Sequence, residues 1–84
     1  MKSLIYLSYT QLKMAKKTIN RLKIVLAEQG RTNKWLAEKL EKNTATVSRW
    51  CTNEMQPSLE TLVEIAETLK VDVRLLLHST ASKT

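Results

Sequence analysis

Residues 32–59, TNKWLAEKLEKNTATVSRWCTNEMQPSL, hold two short apolar periodicities separated by the polar break Glu41-Lys42-Asn43. Leu36, Ala37 and Leu40 fall on one face of a first helix, and Val47, Trp50 and Cys51 on one face of a second. The i, i+3, i+4 spacing is that of helices, not strands. Each helix is too short to hold itself together, so its apolar face must be buried against neighbours. Ala37 is small enough to let the two helices cross closely and steeply. A second helix that buries Val47 and Trp50 turns Thr44, Ala45, Thr46 and Arg49 elsewhere. The pattern therefore predicts a helix-turn-helix over about residues 32–52.

The flanking segments supply the remaining partners. A helix is expected from about Asn20 to Gln29, with Thr18 or Asn20 as N-cap and Leu22, Val25 and Leu26 as its stripe. Gly30 would stop it. Thr32 and Asn43 suit the caps of the two motif helices, and residues 53–57 suit a loop. Ser58 would cap a fourth helix with Leu59, Leu62, Val63, Ala66 and Leu69 on its face. Asp72 would cap a short fifth helix presenting Val73, Leu76 and Leu77. The absence of Phe, with one Gly and one Pro, also favours helix over sheet. The expectation is an all-α, compact five-helix domain over residues 18–78. Residues 1–17 read as a weakly ordered N-terminal extension and 79–84 as a polar tail. Met14 opens a natural start, MAKKTINRLK, so residues 1–13 are expected to be an upstream extension that is not always made, the alternatives being a disordered basic arm or a short strand pairing with a partner.

The segment from Arg21 to Leu77 resembles the lambda-repressor/Cro-like helix-turn-helix regulators of the xenobiotic-response-element type. The resemblance rests on Gly30-Arg31-Thr32, Leu36-Ala37, Thr46-Val47-Ser48-Arg49-Trp50, Pro57-Ser58-Leu59-Glu60-Thr61-Leu62, Ile65-Ala66 and Leu69, in that order. It implies a DNA-binding transcription regulator, a repressor acting by occlusion, with the helix at about 44–52 in the major groove. Arg49 is the first candidate for base contact, because a guanidinium can bond guanine O6 and N7 together. Binding a phosphate is the other role open to it. Thr44, Ala45 and Thr46 match the start of the recognition helix, where short side chains permit close approach. With so few hydrogen-bonding groups among them, DNA shape would carry part of the specificity. Asn33 stands where the family usually has Gln, beside a phosphate at a helix N-terminus. Lys34, Lys42, Asn43, Ser48 and Thr52 are further phosphate candidates.

Several positions depart from the family pattern. Glu41 replaces the usual Gly in the turn after the second helix, at a cost of about 1 kcal/mol if that turn is left-handed. Lys42 stands where an apolar residue is usual, so its alkyl stem must cover the core edge. An Arg–Glu bridge common in the family is replaced by Leu26 and Cys51, which removes both charges together and strands neither. Trp35 occupies a commonly acidic position. It could pack on the first helix, support a neighbouring Arg by cation–π contact, or stand exposed for a protein partner.

Charge is unevenly placed. Net charge is +6, and residues 1–49 carry eleven of the fourteen Lys and Arg but three of the eight Asp and Glu. The basic half is the one with the helix pair, which favours a polyanionic partner. Near-palindromic double-stranded DNA and a homodimer are the partners implied, with Ile65, Leu75, Leu76 and Leu77 as interface candidates. A second reading is the antitoxin of a toxin–antitoxin pair, with a chain end wrapping the toxin. A restriction-modification controller is a third. No catalytic constellation, metal-ligand spacing or cofactor motif appears, so an enzyme is not expected. Cys51 reads as core and His78 as surface. A single cysteine permits no internal disulfide and suits a cytoplasmic setting. No apolar run is long enough to span a membrane.

Overall fold

The computed structural model describes residues 18–81. The expected extension at residues 1–17, its alternative start and the last three residues of the tail lie outside the described part. Four α-helices follow one another: α1 (Leu22–Gln29), α2 (Asn33–Leu40), α3 (Thr44–Cys51) and α4 (Leu59–Leu69). The expected fifth helix is a single 3-10 turn, Val73–Leu76. The chain cannot continue it, because Leu77 turns extended and bridges antiparallel to Asn20.

Local chemistry sets the starts of these elements. Thr32 Oγ1 accepts from Trp35 N–H at 3.0 Å, and Asn43 Oδ1 from Ala45 N–H at 2.7 Å. Ser58 Oγ accepts from Thr61 N–H at 3.1 Å, and Asp72 Oδ1 from Arg74 N–H at 2.8 Å. Each satisfies an N–H that the helix itself cannot. The start of α1 differs from expectation. Its first flanking residue is Arg21, without a side-chain cap. Asn20 acts one position earlier, accepting from Leu22 N–H at 2.9 Å.

All four α-helices end in one way. Gly30, Glu41, Asn53 and Lys70 adopt left-handed backbone angles, with φ of 67°, 56°, 63° and 59°. The next N–H reaches back to a carbonyl five residues earlier: Arg31 to Leu26, Lys42 to Ala37, Glu54 to Arg49 and Val71 to Ala66. These bonds satisfy carbonyls that the helix ends leave open.

The core joins all five elements. Leu22, Val25, Leu26, Leu36, Ala37, Leu40, Val47, Trp50, Cys51, Leu62, Ile65, Ala66, Leu69 and Leu76 are buried together. Two expectations fail here. Leu59 is 77% exposed and Val63 is also exposed, so both flank the buried stripe of α4 and do not line it. Ile65 and Leu76, expected at a dimer interface, have no exposed surface within the protomer. Lys42, after α2, is exposed, and Val71, after α4, is packed against the core. Closure comes from the chain ends. Arg21 N–H donates to Leu76 O (2.8 Å), His78 N–H to Ile19 O (3.0 Å), and Gln29 Nε2 to Leu69 O (2.9 Å).

Candidate nucleic-acid interface

α3 is anchored along one side and open along the other. Val47, Trp50 and Cys51 are sunk in the core, whereas Thr44, Ala45 and Arg49 are exposed and Thr46 and Ser48 half-buried. These side chains share a firm mount, since moving α3 itself means uncovering Trp50. Among the described residues the one ion pair joins Arg74 to Asp72, so the Arg49 guanidinium is not held by a carboxylate. An exposed Arg with its donors open can form bidentate bonds with a base edge or a phosphate.

The residues expected near phosphate fall into two groups. Lys34 and Lys42 are exposed, each at an end of α2. Asn33, Asn43 and Thr52 have duties within the fold, and Ser48 is half-buried. Asn43 uses its carbonyl oxygen to cap α3, so a phosphate contact from it falls to the amide NH2. Asn33 Oδ1 accepts the Cys51 thiol at 3.3 Å, which ties the start of α2 to the end of α3. Thr52 Oγ1 donates back to Arg49 O at 3.2 Å. Asn33 and Asn43 thus keep donors for an anion, while Thr52 spends its hydroxyl proton on its own helix.

Cys51 is a core thiol. Burial pushes its pKa up, against a smaller lowering by Lys23. A protonated, enclosed thiol is a poor nucleophile. Leu26 is buried in the same core, so the family's charged bridge is replaced by apolar packing. His78 is exposed, and the described residues contain no cluster of three or more His, Cys, Asp or Glu able to hold a metal ion. None of the described helices is long and apolar enough to cross a membrane.

Two features flank the helix pair, the first unread in the sequence and the second one of the three roles left open for Trp35. The first is an amide network behind α3. Asn53 Oδ1 accepts from Ile19 N–H (2.8 Å), Asn20 N–H (2.9 Å) and Gln56 Nε2 (3.1 Å), and Asn53 Nδ2 donates to Asn20 O (3.2 Å). Asn20 Nδ2 in turn donates to Trp50 O (2.9 Å) and Gln56 Oε1 (2.8 Å). The network fixes the end of α3 to the strand-like segment before α1. No buried side-chain polar atom among the described residues lacks a partner. The second is a stack in front of α2: the Arg31 guanidinium lies 4.3 Å from the centre of the Trp35 ring, and the Lys39 ammonium 5.8 Å. Of the three roles open to Trp35, the structure displays the cation–π contact, with the half-buried ring also resting on the core.

Two short helices joined by a three-residue turn, the second pinned along its inner side and bare along its outer, make this a helix-turn-helix domain. Comparison with known proteins agrees. The helix-turn-helix family model matches residues 22–76, and the chain belongs to that family, of the lambda-repressor/Cro-like, xenobiotic-response-element type. Among solved structures it is similar to a Bacteroides fragilis protein described as a "putative DNA-binding protein". The two are 57% identical with a TM-score of 0.71, over 71% of this chain and 97% of that one. No curated protein matches the chain.

Proposed function

We propose that the protein is a sequence-specific double-stranded DNA-binding transcription regulator that represses by occlusion. The observation that carries this reading is the exposed outer side of α3, with Thr44, Ala45 and Arg49 open while Val47, Trp50 and Cys51 hold the helix in the core. α3 would lie in the major groove, with Arg49 reading a base and Thr44, Ala45 and Thr46 closing on neighbouring bases. Asn33, Lys34, Lys42, Asn43 and Ser48 would meet phosphates, which set affinity and orientation without carrying sequence. Thr52 is the weakest of the expected contacts, given its bond to Arg49 O. The similar Bacteroides fragilis protein and the basic half of the chain point the same way.

A homodimer belongs to this reading. With Ile65 and Leu76 spent in the core, the interface would draw on the exposed Leu75 and Leu77. A two-fold dimer would read half-sites about 34 Å apart in a near-palindromic operator. The alternative of a protein-binding antitoxin draws support from one observation, an open apolar groove of about 170 Å³ lined by Ile19, Pro57, Leu59, Leu62 and Leu77, with Asn20 and Gln56 at its edge.

Selection from a random duplex library, run on wild type and Arg49→Ala in parallel, tests the regulator reading. The expected outcome is a near-palindromic site for wild type and loss of one defined G·C position for the variant, a discrimination of roughly 1–3 kcal/mol. Binding that enriches no sequence and fades uniformly with salt would sink it, and a stable complex with a second protein would favour the antitoxin reading.

A further inference from the structure

The stack at the front of α2 bears on how the domain grips DNA, a role that rests on the regulator reading. Arg31 is exposed, yet it is held at both ends. Its backbone N–H is fixed by Leu26 O at 2.9 Å, in the turn that Gly30 closes. Its guanidinium lies over Trp35, and the Trp35 N–H is in turn capped by Thr32 Oγ1. The side chain that would otherwise sweep through solvent is confined beside the N-terminus of α2, two residues from Asn33 and three from Lys34.

The manner of holding matters. A carboxylate partner would occupy the guanidinium's N–H groups and cancel its charge. An indole face does neither: it meets the flat of the guanidinium and leaves the donors at the edge open. The one ion pair among the described residues is elsewhere, between Asp72 and Arg74, so Arg31 keeps its full charge. A cation with its conformational freedom already reduced and its donors unspent loses little more on meeting a phosphate.

We propose that Arg31 is a DNA-backbone contact and that Trp35 is its positioning residue, holding the guanidinium where a phosphate passes the start of α2. Lys39, 5.8 Å from the ring centre, adds positive potential near the same indole.

The test is the salt dependence of operator affinity for the full chain. Each phosphate contact contributes about 0.9 to the slope of log affinity against log salt. Arg31→Ala is expected to reduce the slope by about that amount and to weaken binding roughly tenfold at low salt. Trp35→Leu keeps apolar bulk over the core but removes the ring, and should lower the slope similarly. Trp35→Phe, which retains a ring face, should restore most of it. The double variant Arg31→Ala/Trp35→Leu should lose no more than Arg31→Ala alone. Circular dichroism at the assay temperature confirms that each variant is folded. If Arg31→Ala leaves the slope unchanged in a wild type that binds its operator, this inference is wrong and the regulator reading stands. If Arg31→Ala lowers the slope and Trp35→Leu does not, the positioning role of Trp35 is wrong. A wild type with no sequence-specific DNA affinity overturns the regulator reading itself, and this proposal with it.

Discussion

Glu41 and Asn53 stand at opposite ends of α3 with nearly the same backbone. Both are left-handed, at φ of 56° and 63°, and both are followed by an N–H that reaches back five residues, at 2.8 and 2.9 Å. Their side chains could hardly differ more. The Glu41 side chain is exposed and makes no hydrogen bond among the described residues. Asn53 is 8% exposed and makes four, binding the chain before α1 to the loop after α3. One turn is a local bend whose residue is a small liability. The other is a joint whose residue carries the contact between distant segments.

The sharpest way to separate these roles is to put glycine at both positions. Glycine suits either backbone, so any difference belongs to the side chains. Asn53→Gly removes the acceptor for two backbone N–H groups and leaves Asn20, itself 3% exposed, without its carbonyl's partner. Unmade bonds at buried groups cost about 1–3 kcal/mol each, and partners in a network lose together. A loss of roughly 2–4 kcal/mol is expected by denaturant unfolding, after relief of the left-handed strain is set against it. A change below about 1 kcal/mol would break the comparison, and would mean that water replaces the amide without penalty.

The same contrast explains what could be read in the sequence. Thr32, Asn43, Ser58 and Asp72 were legible as caps because a cap binds an N–H two or three residues away. The outer side of α3 was legible by subtraction once Val47, Trp50 and Cys51 were assigned to the core. Asn20 was legible as a cap, but the bonds that join it and Ile19 to Trp50, Asn53 and Gln56 were not, because those partners lie 30 to 36 residues away and polar partners leave no periodic trace. Leu59 and Val63 were misplaced because apolar residues beside a buried stripe share its periodicity while lying one flank over. The fifth helix shrank to one turn because residues 77 and 78 are claimed by Asn20 and Ile19, a pairing across the chain that local propensity cannot reveal.

Substituting at Gly30 runs the comparison in the opposite direction. Gly30 has φ of 67°, and a Cβ built there meets nothing within 4 Å. Gly30→Ala therefore adds backbone strain alone, and a loss of about 1 kcal/mol is expected. Glu41→Gly should give a gain of about 0.5–1 kcal/mol, because the strain goes and no fold contact goes with it. Operator affinity should stay near wild type in Glu41→Gly, or rise slightly as a negative charge leaves the turn before α3. If Glu41→Gly destabilises the fold, the carboxylate has a role that its exposure conceals, and the two joints are more alike than their surroundings suggest.

Asp72 gives the smallest effect, and it tests whether exposure is what separates the joints. Its cap is well formed: Oδ1 accepts from Arg74 N–H (2.8 Å) and Nε (3.1 Å), and Oδ2 from Nη2 (3.0 Å). The side-chain bonds from Arg74, then its backbone N–H, hold the carboxyl below the ordinary carboxylate range. A carboxyl whose pKa is lower folded than unfolded adds stability above the unfolded value. That contribution disappears as pH falls through the folded one. Both side chains stand in solvent, where a pair of this kind is worth little and is screened by salt. Asp72→Asn keeps an oxygen for the Arg74 N–H and removes only the charge. Its unfolding midpoint should lie slightly below wild type at neutral pH and converge with it in acid. Added salt should shrink the gap. A gap that persists in acid and in high salt would mean that the bonds, and not the charge, do the holding. Asp72 would then belong with Asn53, and burial would no longer be what distinguishes a bend from a joint.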